Sequence, residues 1–379
     1  SRGLGDVYKR QATGGAAGNG GNAYKYTSYD DIVVARNGLD GAVGTASGVR
    51  TINGHSLIEA TNLLVEANGG AGGAGGNGGR TDKGAIGANG ADGGNGGNAY
   101  AYGVQSSGGT TELTVDKIAV TVTGGAEGSG GTATSGGTDG NAGSIAAEAK
   151  AYGIYAESGA VVNLSAKSTG TIKIGAKAAN AQNTEAYAVY ADNATVLFHD
   201  NAELNTSDGA STPDNNVLTS LNNATLGFSG TSADRKVTGG TLQLSGSNEF
   251  RVTTDLANNK SDRFNFAKLA SGSSMEEQYI TVGYDKAFDG SSADSISGSN
   301  VVVLSVADLN GQTLGNFVGK ESIMDDPLSP FSATPTVVVD DTEVRISKID
   351  LNKDIGPSDT MIISNDASLA CLLYTSPSP

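Results

Sequence analysis

An internal repeat constrains the fold of this chain more than any other feature. The segment Asn-Gly-Gly-Asn-Ala-Tyr-x-Tyr occurs at residues 19–26 and again at residues 95–102. A shorter Ala-Tyr-x-x-Tyr form recurs at residues 151–155 and 186–190. A repeated unit of this kind buries its apolar face against its neighbours, so the repeats predict stacked copies of one structural element.

Short strands with turns between them are predicted from about residue 146 onward. Residues 159–165 resemble residues 240–245, and residues 193–198 resemble residues 223–228. Each segment carries one or two large apolar side chains and is closed by Gly, Asn, Asp or Ser, which is typical of a short strand that ends in a turn.

Composition favours one all-β architecture over the others. The chain has 379 residues, of which 57 are Gly, and it has 6% aromatic residues and no Trp. A sandwich core needs many large side chains, whereas a parallel β-helix needs only a narrow apolar stripe, with Asn and Gly at corners where φ is positive. We therefore predict an all-β chain folded as a right-handed parallel β-helix with Gly-rich loops.

The Gly-rich run at residues 68–79 has three possible structures. It could be a packed polyglycine lattice, a flexible binding loop, or a low-complexity loop extruded from the solenoid. We favour the extruded loop, because no side chain in the run can make a sequence-specific contact.

Charge and the chain ends set further expectations. The net charge of −16 opposes binding to nucleic acid and to anionic lipid surfaces. There is no run of 18 apolar residues, so we expect no transmembrane segment in this window. Residues 1–11 and 371–379 resemble translated sequencing-adapter segments, and we set them aside from the fold. The single Cys371 goes with the second segment, which leaves no disulfide.

Nucleophilic catalysis is not expected from the residues available. It requires a base beside the nucleophile, and the chain has two His. His199 follows apolar residues 196–198 at a strand end, where we expect an exposed corner residue. His55 lies in a predicted turn at residues 53–56.

Metal and phosphate motifs are also incomplete. Residues 90–94 and 136–140 have the composition of calcium-binding turns, but such turns act as tandem nonapeptides and these stand alone. We interpret both as plain turns. Residues 315–321 lack the glycine spacing and the hydroxyl residue of a phosphate loop, and we predict a turn there too.

Paired acids and tyrosines complete the search for sites. Adjacent acids on a strand point to opposite faces, so we interpret the pairs as solvated charge rather than glycosidase carboxylates. They are Asp30–Asp31, Asp325–Asp326 and Asp340–Asp341. The repeated Ala-Tyr strands predict a structural tyrosine ladder, with ligand binding as the alternative. Its members are Tyr24, Tyr26, Tyr29, Tyr100, Tyr102, Tyr152, Tyr155, Tyr187 and Tyr190. We therefore assign no catalytic, cofactor-binding or metal-ligating residue, and we expect no cofactor.

One segment resembles a known family. Residues 240–266 contain a Phe-x-Val-x-Thr-Asp-Leu strand, a Lys-Ser-Asp turn and a further strand, and Ala-Ser-Gly at 270–272 precedes the strand at 279–282. This order resembles the distal part of pertactin-like type V autotransporter passenger domains of Gram-negative bacteria. Within it, Leu242, Leu244, Phe250, Val252, Phe264, Phe266 and Val282 can stack inward, while Asp255 and Asp262 suit the corners.

The resemblance covers about residues 146–350 and implies a domain organisation. Ahead of it we predict a Gly-rich β-helix region at residues 12–145. The resemblance itself implies regular rungs at residues 146–235, followed at residues 236–350 by stable rungs and a cap like the autochaperone region of the family. Residues 351–370 form a linker towards an outer-membrane β-barrel that this fragment lacks.

The function implied by the resemblance is display. We predict a secreted or surface-displayed, adhesin-like structural rod, without enzymatic activity, on the outer-membrane surface of a Gram-negative bacterium. Its partners would be the missing barrel and a glycan or protein ligand on a cell surface, or a second copy of itself. A β-helical polysaccharide lyase and a Gly-rich surface-layer or ice-binding protein remain the alternatives.

Overall fold

The computed structural model of this chain is all-β. It describes residues 7–19, 35–77, 89–134, 137–168, 170–199, 203–205, 216–273, 276–288, 294–324 and 331–352. Within these ranges no α-helix occurs, and the strands form one large, mostly parallel sheet. The strands are β1 (Val7–Thr13), β2 (Gly44–Asn68), β3 (Ala99–Thr123), β4 (Ala146–Glu157), β5 (Val161–Ser165), β6 (Thr171–Ala179), β7 (Ala181–Asp192), β8 (Thr195–Phe198), β9 (Glu203–Asn205), β10 (Leu218–Asn222), β11 (Thr225–Phe228), β12 (Lys236–Ser245), β13 (Glu249–Asp255), β14 (Lys260–Ser261), β15 (Arg263–Leu269), β16 (Gln278–Asp285), β17 (Ser295–Asp308), β18 (Phe317–Gly319), β19 (Ser322–Met324), β20 (Phe331–Val339) and β21 (Glu343–Asn352). Two short 3₁₀ helices span Leu256–Asn258 and Lys286–Phe288.

Strands separated along the chain pair in parallel and in register. The long strand β3 pairs with β2 on one side, and on the other side it pairs successively with β4, β5 and β6. Those three strands then pair with β7, β8 and β9. In-register pairing places equivalent repeat positions above one another, so Ile118 lies opposite Ile174. The prediction of an all-β fold is confirmed.

The described strands begin earlier than we expected. Residues 7–13 form β1, which pairs in parallel with residues 62–68 of β2. Setting residues 1–11 aside from the fold is therefore wrong for residues 7–11, because their backbone continues the parallel sheet. At the other end, β21 continues two residues into the predicted linker and ends at Asn352, and Cys371 lies outside the described residues.

Asparagine occupies corners with a left-handed backbone, as predicted. Asn193 and Asn223 both have φ of 47°, and Asn180 has φ of 55°. Asn tolerates this region better than other residues with a Cβ atom. Each of the first two stands between two consecutive strands, so these corners let the chain change direction from one strand to the next.

The core changes character along the chain. Its first half is built from Ala, Val, Ile and Leu, whereas the second half contains a column of buried phenylalanines. Phe264 lies at the centre of this column, with ring centroids 5.3 Å from Phe228 and 5.2 Å from Phe250. The inward positions predicted for residues 242–282 are confirmed, since all seven side chains are buried.

A buried ion pair adjoins this column. The Arg235 guanidinium donates to both carboxylate oxygens of Asp262 at 3.0 and 2.8 Å, and the backbone N–H groups of Arg235 and Thr253 donate to the same carboxylate. Burial raises the pKa of Asp262, and the hydrogen bonds and charge of Arg235 act in the opposite direction. Asp255 and Asp262 both lie at turns, but Asp262 is fully buried.

The Gly-rich segments pack together beside the strands and are hydrogen-bonded to one another. We call this group of segments the glycine bundle. Its hydrogen bonds run between segments and recur every three residues: the N–H groups of Gly70, Gly73 and Gly76 donate to the carbonyls of Ala42, Leu39 and Arg36. Three residues per turn without internal hydrogen bonds is the geometry of a polyproline II helix. The bundle consists of residues 14–18, 36–44, 69–77, 89–98, 124–132 and 137–146.

Hydrogen bonds cross the bundle from segment to segment. Gly143 donates to Gly128, Gly128 to Gly94, Gly94 to Gly73, and Gly73 to Leu39, at 2.8 to 2.9 Å. The preference for an extruded low-complexity loop is therefore wrong for residues 69–76, which lie in a packed polyglycine lattice. The physical reason is that segments without side chains approach closely enough for their backbones to satisfy one another.

The phenylalanine column predicts a large stability loss on truncation. We expect Phe264→Ala to lower the free energy of unfolding by about 3–5 kcal/mol, because it leaves a cavity between two other rings. Ile52→Ala is the control, since Ile52 is 54% exposed, and we expect a change within about 0.5 kcal/mol. Urea unfolding measures both, and equal losses would contradict the assigned core.

The glycine bundle predicts a strong difference between two glycines. A Cβ atom at Gly94 would lie 1.9 Å from the Leu39 carbonyl oxygen, whereas a Cβ atom at Gly15 has no neighbour within 4 Å. We expect Gly94→Ala to destabilise by about 1–3 kcal/mol and to lose amide-exchange protection in residues 69–76. Gly15→Ala should retain that protection, and equal protection in both variants would disprove the packed lattice.

Candidate functional site

Tyrosines from three paired strands stack in one column on the outside of the sheet. Register pairing aligns Tyr102 of β3, Tyr152 of β4 and Tyr187 of β7. Successive ring centroids are 5.1 and 4.9 Å apart, with interplanar angles of 4° and 3°. The Ala-Tyr repeat thus produces a ladder because identical residues recur at the spacing of neighbouring strands.

A second column stands beside the first. Tyr155 and Tyr190 stack at 5.0 Å, and their rings meet those of Tyr152 and Tyr187 edge to face at 5.1 and 5.5 Å. Such aromatic pairs contribute about 0.5–1.5 kcal/mol each beyond burial. Because the ring faces contact one another, the geometry favours the structural interpretation of the tyrosine ladder over ligand stacking.

Carboxylates border the ladder and accept hydrogen bonds from its hydroxyl groups. Tyr155 donates to Glu157 at 2.9 Å, and Tyr187 donates to Glu185 at 2.9 Å. Burial first, and then these carboxylates, raise the pKa values of Tyr155 and Tyr187 well above the ordinary value of 10.0. Burial also raises the pKa of Tyr152, with its tyrosine neighbours adding to the effect.

A lysine lies between two of the acids. Lys150 Nζ is 3.5 Å from Glu148 and 3.3 Å from Glu185. Partial burial lowers the pKa of Lys150, but the two carboxylates outweigh burial and hold it above its ordinary value. The pKa of Glu148 is lowered by the hydrogen bond from Tyr100, at 2.6 Å, and by Lys150. This lysine is held protonated.

A polar groove lies where the glycine bundle joins this face of the sheet. Its volume is about 370 Å³. Carboxylate, amide and hydroxyl groups share its surface with the apolar side chains of Val43, Ile145 and Ala147. The lining residues are Asp40, Gly41, Val43, Asn95, Gly96, Gly97, Asn98, Ser144, Ile145, Ala147 and Gln182.

Backbone hydrogen bonds fix the polar side chains of the groove. Asp40 Oδ1 accepts the N–H of Asn95 at 2.7 Å, and Asn95 Oδ1 accepts the N–H of Ser144 at 2.9 Å. Asn98 Oδ1 likewise accepts the N–H of Glu148 at 3.0 Å. One atom of each side chain is thereby held, and in the described part of the chain Asp40 Oδ2 and Asn95 Nδ2 have no other partner.

The two histidines lie in separate polar contacts. His55 Nε2 is 3.2 Å from Glu112 Oε1, in an exposed pair. His199 is half-buried, and its Nε2 is 3.0 Å from Asn163 Oδ1. The prediction of an exposed corner at His199 is therefore wrong in part, because Asn163 of the neighbouring strand lies against the ring.

Three of the predicted turns lie wholly or partly in extended segments. The turn predicted at residues 53–56 lies within strand β2, where residues 54–56 pair in parallel with residues 109–111 of β3. Residues 90–94 belong to the glycine bundle, where Asp92 Oδ1 accepts the N–H of Asn141 at 2.7 Å. In the turn predicted at residues 315–321, residues 315–316 do form a turn, but residues 317–319 form strand β18, with Phe317 buried in the phenylalanine column. In each of these places backbone pairing with a neighbouring segment holds the chain extended.

The remaining predicted residues are only partly described. Asp340 lies beside the turn between β20 and β21 and pairs with Arg345 at 3.1 Å. The ranges given above do not include Tyr24, Tyr26, Tyr29, Gly136, Asp30–Asp31 and Asp325–Asp326. Among the described residues, no group of three His, Cys, Asp or Glu is placed to hold a metal ion. None of the helices described there is long and apolar enough to cross a membrane.

Comparison with known proteins identifies no relative. No family model, no curated protein and no solved structure matches this chain.

Sequence reasoning missed the groove. The sequence feature that could have predicted the groove is the repeated Gly-Gly-Asn triplet at residues 93–98, in which a polar residue recurs at every third position. That period places the polar residues on one side of a polyproline II helix, because this helix has three residues per turn.

The tyrosine ladder predicts alkaline destabilisation. A tyrosine whose pKa is higher in the folded than in the unfolded state makes its full contribution to the free energy of unfolding below pH 10, the ordinary tyrosine pKa. That contribution is lost as the pH rises from 10 through the pKa of the folded state. Each tyrosine protonated only in the folded state contributes a slope of about 1.4 kcal/mol per pH unit. We expect Tyr152→Phe/Tyr187→Phe to show a shallower loss than wild type between pH 9 and 11 in urea unfolding. Identical slopes would contradict this origin.

Proposed function

We propose that this chain is a surface-displayed, adhesin-like rod of the autotransporter passenger type, folded as a right-handed parallel β-helix. The observation that carries the proposal is repeated parallel pairing: apart from the two-residue β14, which pairs antiparallel with β13, the strands from β1 to β18 pair in parallel with strands earlier or later in the chain. A helix of rungs produces such pairing directly, since each rung gains its stability from its neighbours.

The C-terminal strands support the proposed cap. β17 pairs in parallel with β15 but antiparallel with β21, and β20 continues the antiparallel arrangement. A change from parallel to antiparallel pairing ends the stack and covers its last strands, as a one-dimensional array requires. The buried Arg235–Asp262 pair and the phenylalanine column lie just before this cap. We propose that residues 236–350 fold first and template the preceding rungs.

The glycine bundle supports display. Its segments leave the ends of β1, β2 and β3 and return to the starts of β2, β3 and β4. Eight residues of polyproline II helix, such as residues 69–76, extend about 25 Å at about 3.1 Å per residue. The bundle therefore forms a stiff arm that extends from the ends of these strands.

The lyase alternative finds less support. A lyase of this kind needs a basic residue near acidic residues, and Lys150 lies between Glu148 and Glu185. A lysine that acts as a base at neutral pH needs a lowered pKa, but the carboxylates raise that of Lys150. We therefore propose the structural function and the extracellular, Gram-negative surface location that goes with it.

Surface display tests this proposal. Residues 1–370 would be fused to an autotransporter β-barrel in a Gram-negative host, with the barrel alone as control. We expect a protease-resistant chain on the cell surface and greater attachment of these cells to an epithelial monolayer. A chain that is degraded during export, or attachment equal to that of the barrel control, would refute the proposal.

Deletion within the fusion tests the order of folding. Removal of residues 240–282 should abolish protease resistance along the whole passenger, because the preceding strands lose their template. Retention of a resistant core from residues 35–199 would contradict templating while leaving display intact.

A further inference from the structure

We propose that the groove between the glycine bundle and the tyrosine face binds a neutral saccharide. The inference rests on the proposed function, because it names the class of ligand that the displayed rod would bind. It is carried by the groove itself, with its fixed polar atoms, aliphatic patches and acidic border.

The size and form of the groove suit a small ligand. Its volume of about 370 Å³ lies within the range of small-molecule sites, about 300–1,000 Å³. Three bundle segments and strands β4 and β7 contribute to its walls, so a ligand would contact Asp40, Asn95, Ser144 and Gln182 together. A site formed across successive repeats is shaped by the packed lattice rather than by one loop.

The polar atoms of the groove match hydroxyl groups. A sugar hydroxyl both donates and accepts, and here Asp40 Oδ2 can accept while Asn95 Nδ2 can donate. The Oδ1 atom of each of these two side chains already accepts a backbone N–H, at 2.7 Å for Asp40 and 2.9 Å for Asn95. Binding therefore orders few side-chain rotamers, which reduces the entropic cost of association.

Aliphatic side chains also line the groove and can contact the apolar faces of a sugar ring. Val43, which is 57% exposed, and Ile145 line the same groove. Aliphatic side chains of this kind can cover the C–H faces of a sugar ring while the amides and the carboxylate bind its hydroxyl groups. An exposed valine beside fixed polar groups fits a ligand that is apolar on one face and hydroxylated at its edges.

Charge selects neutral saccharides over anionic ones. The groove contains Asp40, and Asn98 and Tyr100 connect it to Glu148. Lys150 is paired with both Glu148 and Glu185, so these three groups together with Asp40 carry a net negative charge. The chain as a whole carries a net charge of −16. A sialylated or uronic acid ligand would meet like charge at close range, which opposes its binding.

Disaccharide titration of the full chain tests the inference. Lactose, cellobiose, maltose and N,N′-diacetylchitobiose serve as neutral probes and 3′-sialyllactose as the anionic one, followed by saturation-transfer NMR and calorimetry. We expect at least one neutral probe to bind, and 3′-sialyllactose to bind at least tenfold more weakly than lactose or not at all.

A matched pair of variants locates the site. Asp40→Asn keeps the Oδ1 acceptor for the Asn95 N–H and changes only the second oxygen, so it should fold normally and weaken binding at least tenfold. Asp92→Asn is the control, because Asp92 accepts the Asn141 N–H in the same way but lies outside the groove. Its binding should equal that of wild type.

Three results would overturn the inference: no neutral probe binds, Asp40→Asn binds as wild type does, or the anionic probe binds best. The display experiment separates this from the proposed function. If cells that display the Asp40→Asn variant still attach, the proposed rod function stands and only the saccharide site is refuted.

Discussion

Backbone hydrogen bonding between equivalent segments of successive repeats is the interaction on which this structure depends. It takes two forms in the same molecule: parallel β pairing in the strands, and the three-residue pattern of the glycine bundle. Both satisfy buried N–H and C=O groups without large side chains. The chain can therefore be glycine-rich and poor in aromatics while its backbone remains ordered.

The two forms of backbone pairing differ in what limits amino-acid substitution. Strands β2 to β7 hold side chains in a narrow core of Ala, Val, Ile and Leu, with the tyrosines stacked outside. In the bundle, a carbonyl oxygen occupies the place of a Cβ atom, as at Gly94 beside Leu39. Substitution is thus limited by core volume in the strands and by backbone contact in the bundle. Towards the C-terminus, phenylalanines and a buried ion pair fill the interior.

The groove arises from the meeting of these two systems. Polar residues at every third position of the bundle lie beside a strand face whose tyrosines and acids repeat at the spacing of paired strands. Neither pattern forms a concave surface alone. Their junction fixes Asp40, Asn95 and Asn98 through backbone N–H groups of later repeats, so the site would assemble only when the repeats stack.

The sequence by itself determined the β class, the asparagine corners, the inward residues of the 242–282 segment and the tyrosine ladder, because each follows from a local period or from identical residues in register. It could not determine the packed state of residues 69–76, since a glycine run has the same local pattern as a loop. Only the tertiary structure decided that, by bringing segments such as residues 36–42 and 124–131 within hydrogen-bond distance. It also decided the burial of Asp262 and the position of the groove, which depend on residues far apart in the chain.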